Sequence, residues 1–371
     1  MPGARNLAGG IVFTTVLYFS SFFGSIVLLM PFLPLIILKP KWARSILDFF
    51  LYMWFSFAVA MYELMLGVKI KVQGRPSKPT DSVLILMNHR TRLDWLFLMS
   101  YQLRCGSLRH YKISLKDQLK FVPGPGWAMQ SAAFLFLKRR WEADQPVITA
   151  ALKYFRKVNY RLQFLLFPEG TDFTANTLSK SDKFAEKNGF PKYRYVLHPR
   201  TTGFVFLVQQ MKEEKLLDSV LNISVAYPKT MPIGEFDVFT GNFPEEIHFH
   251  VNSTPVVDFP TSSDDLVNWC QNRWSEKEEQ LRLYYEKREF SPFEKQDKDM
   301  IYDTVETYSE ESVRRYLYKV VAFWCIFIIL VFYSLFEVSL FRWYSLFSII
   351  AFSVLERKYG GLDTIQFLYD F

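Results

Sequence analysis

Two apolar stretches open this chain. Residues 9–38 carry no charged side chain, a length that can cross a bilayer and that exceeds the apolar region of a signal peptide. Residues 46–66 form a second apolar and aromatic stretch, which only Asp48 and Glu63 interrupt. We expect either a spanning hairpin or one span followed by a helix in the membrane interface. The aromatic content and the flanking charges favour the second arrangement.

The C-terminal end carries a similar apolar pattern. Residues 320–336 contain no charge, Glu337 and Arg342 then interrupt the run, and it continues to residue 355. The pattern predicts either one span or a hairpin with charges near its tip. The length of the terminal segments and their lack of amphipathic alternation favour membrane helices over buried core helices.

Short apolar runs and helical patterns alternate through the middle of the chain. Strand-like runs cover residues 82–87, 111–115, 133–137, 164–167, 220–226 and 247–251, and helical patterns cover 95–103, 147–158 and 183–188. This alternation predicts an α/β fold with a mixed, mostly parallel sheet flanked by helices.

A capped helix is predicted to close this central region. Ser262 and Ser263 precede apolar residues at helical intervals as far as Trp274, a pattern typical of a capped amphipathic helix. A charged segment at 276–303 then leads to the C-terminal apolar run. We therefore divide the chain into an N-terminal membrane anchor at 1–68, a central domain at 69–303, and C-terminal membrane segments with a tail at 304–371.

Cysteines and histidines give no sign of a disulfide framework or a metal site. Cys105, Cys270 and Cys325 have no paired or C-x-x-C spacing, which suits a cytosol-facing domain. His248 and His250 alternate with apolar residues in one strand-like run. We interpret them as a solvated strand face rather than a metal-binding pair.

The formal net charge of the chain is +7. A basic balance suits a partner that carries phosphates, either anionic lipid head groups or nucleic acid. The sequence contains no nucleic-acid recognition motif and no basic helix with base-stacking aromatics, and its apolar ends argue against that partner. We expect membrane lipid, and not nucleic acid, as the partner.

A polar box follows the apolar run at 82–87. Asn88 and His89 come directly after it, and Asp94 stands where the next helical pattern begins. Within one helix this spacing would put His89 and Asp94 on different faces, so we expect His89 in the turn before the helix, folded back toward Asp94. A carboxylate that holds a histidine in one tautomer makes a general base, and without a neighbouring serine the nucleophile would be a substrate hydroxyl. The alternative is a helix cap or a turn histidine without a chemical role.

A second polar turn, with the sequence FPEGT, occupies residues 167–171 after another apolar run. Together, the H-x4-D box and this turn resemble the glycerolipid acyltransferase family. The stretches PGPGWAMQSAAFLFLKRRW, FAEKNGFPKYRYVLHPRTTGF and FPEEIHFHV resemble its lysocardiolipin acyltransferase branch. The resemblance implies that region 69–303 is an acyltransferase catalytic domain, which moves a fatty acyl chain from coenzyme A to a lysophospholipid or glycerol phosphate.

The resemblance also implies roles for individual residues. His89 would be the catalytic base and Asp94 its orienting carboxylate, while the residues expected to contact the substrates are Asn88, Lys116, Arg139, Glu169, Gly170 and Thr171. Gly170 is expected to permit a backbone shape or close approach that a side chain would block.

Several of these residues have a structural alternative. Glu169 could pair with a nearby arginine, and Arg139, between two other basic residues, could belong to a solvated basic edge. Lys112 and Lys120 could replace Lys116 or simply face solvent.

Two positions depart from the family pattern. Members that act on lysophosphatidic acid usually carry Arg directly after the EGT sequence, where this chain has Asp172. A carboxylate in place of a bidentate phosphate ligand disfavours a phosphate monoester, so Asp172 is expected to set specificity toward phosphodiester lysolipids. The usual glycine before Phe136 is Ala133 here, whose methyl group is expected to alter local packing without excluding activity.

The expected function is acyl-CoA-dependent acylation of a lysophospholipid hydroxyl in phospholipid and cardiolipin remodelling. The expected acceptors are lysocardiolipin, lysophosphatidylinositol or lysophosphatidylglycerol, with acyl-CoA as co-substrate and no cofactor or metal. A 1-acylglycerol-3-phosphate acyltransferase that makes phosphatidic acid is one alternative, and a non-catalytic lipid-binding membrane scaffold is another. We expect an endoplasmic reticulum membrane protein whose catalytic domain faces the cytosol.

Overall fold

The computed structural model describes residues 6–288, 290 and 309–368. The strands are β1 (Lys69–Arg75), β2 (Val83–Met87), β3 (Tyr111–Lys116), β4 (Leu135–Leu137), β5 (Gln163–Leu166), β6 (Ser219–Ala226) and β7 (Glu246–Pro255). The helices are α1 (Leu7–Gly24), α2 (Leu35–Leu38), α3 (Pro40–Ala60), α4 (Asp94–Arg104), α5 (Pro125–Ser131), α6 (Trp141–Lys157), α7 (Ala175–Asn188), α8 (Thr201–Glu213), α9 (Glu235–Phe239), α10 (Ser263–Lys287), α11 (Glu310–Glu337), α12 (Ser339–Tyr359) and α13 (Leu362–Leu368).

The chain forms two compact units that interleave along the sequence. The first unit contains the described residues within Met1–Gly10, Leu66–Ser107 and Leu162–Tyr308. The second contains those within Ile11–Met65, Leu108–Arg161 and Ser309–Phe371. Both polar turns identified in the sequence, at 88–94 and 167–171, therefore belong to the first unit.

A sheet forms the centre of the first unit, with the strand order β1-β7-β6-β2-β5. Neighbouring strands run parallel, except that β6 and β7 are antiparallel. Every residue of β2 is buried, because strands border it on both sides and helices cover the sheet. The predicted mixed, mostly parallel sheet flanked by helices is confirmed.

In the second unit, β3 and β4 pair in parallel, with Ser114 opposite Leu135. Sequence reasoning placed a strand at 133–137, but the strand begins only at Leu135. Ala133 has a left-handed φ of +54°, which ends regular pairing before that point. Glycine adopts this conformation without steric cost, and this explains the family preference at a position where the chain carries a methyl group.

Aromatic pairs join the helices of the second unit. Phe57 of α3 stacks on Trp324 of α11 with ring centroids 5.4 Å apart. Trp127 of α5 stacks on Phe352 of α12 at 4.6 Å. The C-terminal apolar region forms two helices, α11 and α12, which meet at Val338 between the two charges noted in the sequence.

Among the residues that the structure describes, three helical segments are long and apolar enough to cross a membrane, namely Leu7–Phe32, Pro40–Met65 and Glu310–Glu337. They differ in how far the protein itself covers them. Only 17% of the apolar stretch in Glu310–Glu337 is buried, whereas 61% of that in Pro40–Met65 is buried. The protein itself thus covers most of the second segment.

A buried polar cluster explains the charge inside the second apolar stretch. Asp48 of α3 accepts from Lys112 at 2.9 Å, from Tyr160 at 2.7 Å and from Arg44 at 2.8 Å. These side chains are all buried, so each charge is satisfied by a partner within the unit rather than by water.

His248 is not part of a solvated strand face, which corrects the sequence interpretation. It is 6% exposed, its Nδ1 atom lies 2.9 Å from the Tyr284 hydroxyl, and its Nε2 atom lies 3.1 Å from Glu246. His250 is half-buried, with its ring 5.5 Å from that of Phe290. Alternation assigned the correct opposite face to both histidines, but helix α10 contributes Tyr284 and covers that face.

Candidate active site

The catalytic candidate lies at the carboxyl end of β2. Helix α4 begins at Asp94, so the preceding residues form the turn that the sequence predicted. Asn88 fixes the start of this turn: its amide nitrogen donates to the Val225 carbonyl at 3.1 Å, and its amide oxygen accepts from the Val225 N–H at 2.8 Å. Asn88 is fully buried and holds the start of the turn, and its expected contact with substrate stays a prediction.

His89 folds back onto Asp94 as predicted. The Nδ1 atom lies 3.0 Å from Asp94 Oδ2, and the two side chains are 16% and 0% exposed. The imidazole ring stacks on Phe167 with centroids 3.9 Å apart. Within the described part of the chain Nε2 has no hydrogen-bond partner. With Nδ1 donating to the carboxylate, Nε2 is the nitrogen able to accept a proton from a substrate.

Asp94 is held by two further donors. The Thr91 N–H donates to Oδ2 at 3.0 Å, and the Tyr227 hydroxyl donates to Oδ1 at 2.5 Å. Burial, followed by the charge of Asp94, raises the pKa of Tyr227 well above its ordinary value, so the phenol remains a donor. The carboxylate is therefore fixed on both oxygens, and its orientation toward His89 is set before any substrate binds.

Tyr227 was missed by sequence reasoning although a signal existed. It directly follows β6, which runs parallel to β2 in the neighbouring position. The carboxyl ends of parallel neighbours meet at one edge of a sheet, so a polar residue after β6 was a candidate for the same site.

Glu169 of the FPEGT turn is buried, at 2% exposure, and its expected contact with substrate stays a prediction. Its Oε1 atom accepts from the His89 N–H at 3.1 Å and from Trp274 Nε1 at 3.3 Å, and Oε2 accepts from the Leu197 N–H at 3.2 Å. Burial raises the pKa of Glu169 to about 7, against the opposing effects of His89 and these donors. Its partners are N–H groups from three segments, and not the arginine considered from the sequence.

Lys277 lies in the same interior. Its ammonium group donates to the Ile223 carbonyl and to Ser224 Oγ, which is 3.3 Å away. Burial lowers the pKa of Lys277 to about 7, opposed by the charge of Glu169. Sequence reasoning assigned this position to a charged connecting segment, whereas α10 continues through it and carries the lysine into the core.

Gly170 has the backbone shape expected of it. Its φ is +71°, and a Cβ atom there would lie 3.2 Å from the Arg200 side chain. Thr171 Oγ1 donates to Asp172 Oδ1 at 3.3 Å. Asp172 also lies 3.5 Å from the guanidinium of Arg92, a residue of the turn that carries His89. Asp172, the candidate for specificity, is therefore charge-paired with the turn that carries His89.

Lys116 and Arg139 belong to the second unit. Of the three lysines considered, Lys112 is bound to Asp48 and Lys120 lies 3.1 Å from Asp117, whereas Lys116 is exposed at the end of β3. Arg139 is exposed after β4 with a φ of +59°. The substrate roles of Lys116 and Arg139 remain predictions.

In the ranges that the structure describes, no group of three or more His, Cys, Asp or Glu side chains is placed to hold a metal ion. The site itself consists of a histidine whose Nδ1 atom is tied to a buried carboxylate, together with the donors that hold this carboxylate. Such a set can accept a proton from a hydroxyl and return it to a leaving group.

Comparison with known proteins identifies the family. The family model described as Acyltransferase matches residues 69–228, and the model described as Acyltransferase C-terminus matches residues 237–324. Lysocardiolipin acyltransferase 1 of Gallus gallus is 45% identical over 96% of this chain and 93% of its own length. The chain belongs to the acyltransferase family.

Other relatives of this acyltransferase carry different names. Lysophosphatidylinositol acyltransferase 10 of Caenorhabditis elegans is 35% identical over 95% of the chain and 91% of its own length. A probable 1-acyl-sn-glycerol-3-phosphate acyltransferase 5 of Arabidopsis thaliana is 31% identical over 67% of the chain and 66% of its own length. The solved structure of PlsC, a 1-acyl-sn-glycerophosphate acyltransferase from Thermotoga maritima, aligns with a TM-score of 0.44 and 14% identity over 74% of this chain and 97% of its own. The resemblance to the lysocardiolipin acyltransferase branch is confirmed.

Proposed function

We propose that this acyltransferase moves a fatty acyl chain from acyl-CoA to a hydroxyl group of a lysophospholipid. The observation that carries the proposal is the His89 ring, tied through Nδ1 to a fully buried carboxylate and open at Nε2. That arrangement suits a base acting on a substrate hydroxyl, and a protein that only binds lipid has no need of it.

In the proposed reaction, Nε2 of His89 takes the proton of the acceptor hydroxyl as its oxygen attacks the thioester carbonyl. A new C–O ester bond forms, and the C–S bond breaks as the tetrahedral intermediate collapses. The coenzyme A thiolate leaves and recovers the proton from the imidazolium. Asp94 stabilises the imidazolium and keeps its ring in place. No cofactor or metal takes part, and acyl-CoA is a co-substrate.

The relatives named for lysocardiolipin and lysophosphatidylinositol support a phosphodiester lysolipid as acceptor. Asp172 supports the same choice, because it places a carboxylate beside Arg92 and so reduces the positive charge offered to a phosphate monoester. Lysophosphatidic acid is the second candidate, favoured by the relative named for 1-acyl-sn-glycerol-3-phosphate. We place the enzyme in the endoplasmic reticulum membrane with its catalytic unit facing the cytosol, where acyl-CoA is present.

An assay with a panel of lysolipids tests the reaction and the acceptor together. Purified protein is given labelled acyl-CoA and lysocardiolipin, lysophosphatidylinositol, lysophosphatidylglycerol or lysophosphatidic acid, with and without a chelator. His89→Ala is expected to lower the rate by about 10² to 10⁴, and Asp94→Asn nearly as much, with unchanged yield and elution from a sizing column. Substantial activity of His89→Ala would exclude His89 as the base, and loss of activity with chelator would reveal a metal requirement.

A further inference from the structure

Three large apolar side chains project from one short segment of the first unit. Ile233, Phe236 and Phe239 are 62%, 76% and 41% exposed. Phe236 and Phe239 lie three positions apart in α9 and so share one side of this helix, and Ile233 stands just before it. These three residues are called the α9 patch.

The α9 patch is held outward by the packing beneath it. Val238, between the last two patch residues, is 5% exposed and faces the interior. Asp237 Oδ2 accepts from the Ile233 N–H at 2.8 Å and closes the segment into a fixed turn. The exposure of the patch is therefore a property of a built element, and large apolar exposure of this kind marks a contact surface.

The patch is joined to the start of the first apolar helix. The Asn6 N–H donates to the Gly241 carbonyl just after α9. At Gly10, a Cβ atom would lie 2.5 Å from Val238 O and Gly241 N, so the two backbones are in direct contact. Helix α1 begins at Leu7 and belongs to the segment Leu7–Phe32, which is long and apolar enough to cross a membrane. The α9 patch thus lies where this helix would leave the bilayer.

The other side of the α9 segment supports the catalytic turn. The Ile233 carbonyl accepts from Thr91 Oγ1 at 3.2 Å and from the Arg92 N–H at 3.3 Å. Both donors lie between His89 and Asp94 in sequence. The short α9 segment therefore contacts both the first apolar helix and the catalytic turn, and its α9 patch is exposed at the surface of the unit.

We propose that the α9 patch inserts into the interfacial layer of the bilayer and brings the catalytic turn to the lipid surface. Membrane lipid is the occupant that fits, because the patch continues from the start of an apolar helix and its side chains are the aromatic and aliphatic types that enter this layer. Arg92 beside the patch is 60% exposed and lies near two carboxylates, Asp172 at 3.5 Å and Glu235 at 3.9 Å, so the proposal rests on the apolar side chains and not on a free cation. This inference depends on the proposed function in one respect, namely that the acceptor is a lipid which the enzyme takes from a membrane.

Spin labels on single cysteines measure this insertion without requiring turnover. The background variant is Cys325→Ser, because Cys325 is exposed while Cys105 and Cys270 are buried. Phe236→Cys and Ile233→Cys each place a label on the patch of the full chain in nanodiscs that contain phosphatidylcholine and phosphatidylinositol. Elution volume and near-ultraviolet circular dichroism identify correctly folded variants.

Val257→Cys is the matched control. Val257 is 85% exposed, but the preceding Val256 N–H donates to the Asp218 carbonyl, and Asp218 also binds the Ser82 N–H before β2. The control label therefore lies beyond the amino end of β2, whereas the patch contacts the turn at its carboxyl end. Val257 is thus an exposed apolar position of the same unit, near the opposite end of β2.

Collision of the labels with oxygen and with a water-soluble nickel chelate separates the possible occupants. We expect the patch labels to meet oxygen often and nickel rarely, at a depth of about 5 to 10 Å, while the control label meets nickel freely. Free access of nickel to both patch labels would overturn the proposal in favour of a solvated surface. Protection from both reagents would overturn it in favour of a protein partner.

Discussion

Replacing Tyr227 with phenylalanine removes one hydroxyl group from the site and keeps the ring in place. The hydroxyl donates to Asp94 Oδ1 at 2.5 Å, while the other carboxylate oxygen retains Thr91 and His89 as donors. A hydrogen bond to a charged group contributes about 1.5 to 3 kcal/mol. Without it, negative charge concentrates on the side of Asp94 that faces His89, and the charged form of the ring is favoured.

Two kinetic consequences follow from this change. We expect kcat/KM to fall by about three- to thirtyfold, because part of the lost interaction had held the carboxylate in its productive orientation. We also expect the acid limb of the kcat/KM profile to move to higher pH by about 0.5 to 1 unit, since 1.36 kcal/mol corresponds to one pH unit. Acyl transfer to the best lysolipid of the panel, measured across the pH range at low substrate, gives both quantities.

Tyr284→Phe is the control for a purely structural effect. Tyr284 is also fully buried in the first unit, and its hydroxyl bonds to His248 on β7 rather than to Asp94. This variant should lose stability but keep the pH profile of the parent enzyme. If Tyr227→Phe also left the acid limb in place, Tyr227 would be a packing residue and the coupling through Asp94 would be refuted.

Three further predictions concern Glu169, the acceptor and the topology. Because burial raises the Glu169 pKa from 4.5 to about 7, its protonated form stabilises the folded state at low pH, and this stability is lost as pH rises through that interval. Thermal unfolding should show this loss of stability in the parent protein and not in Glu169→Gln. The Gln amide N–H group would also face the Leu197 N–H, which costs about 1 to 3 kcal/mol of stability. Equal pH dependence of unfolding in both proteins would contradict the raised pKa of Glu169. Asp172→Arg, which puts a second cation beside Arg92, should raise the ratio of lysophosphatidic acid to lysophosphatidylinositol activity by about tenfold or more, and an unchanged ratio would remove Asp172 from acceptor selection. Asn222 lies within β6 in the glycosylation sequon Asn222-Ile223-Ser224, and it should carry no glycan because the catalytic unit is expected to face the cytosol. A glycosidase-sensitive mass shift that disappears in Asn222→Gln would place this unit in the lumen.

The local part of the site could be predicted from the sequence because its cause is local. The apolar run of β2 ends at a fixed place, and the spacing from His89 to Asp94 excludes a single helix for both residues. The backbone shape at Gly170 was predictable for the same reason. Each of these features depends on a few neighbouring residues.

The remaining features depend on contacts between distant parts of the chain. Tyr227 reaches Asp94 across 133 positions, and Trp274 reaches Glu169 across 105. The periodicity of apolar residues predicts which face of a strand or helix is apolar. It does not identify the element that packs against the opposite face. For this reason His248 was predicted to face solvent, whereas Tyr284 of α10 covers it.

Glu169 belongs to the FPEGT motif, and its contacts in the structure show what it does there. Glu169 is buried, and it accepts a hydrogen bond from the backbone N–H of His89. Asp94 fixes the same histidine through its ring. Two carboxylates thus hold His89, the first through the main chain and the second through the side chain. The hydrogen bond from the His89 N–H to Glu169 thus links the H-x4-D box directly to the FPEGT turn.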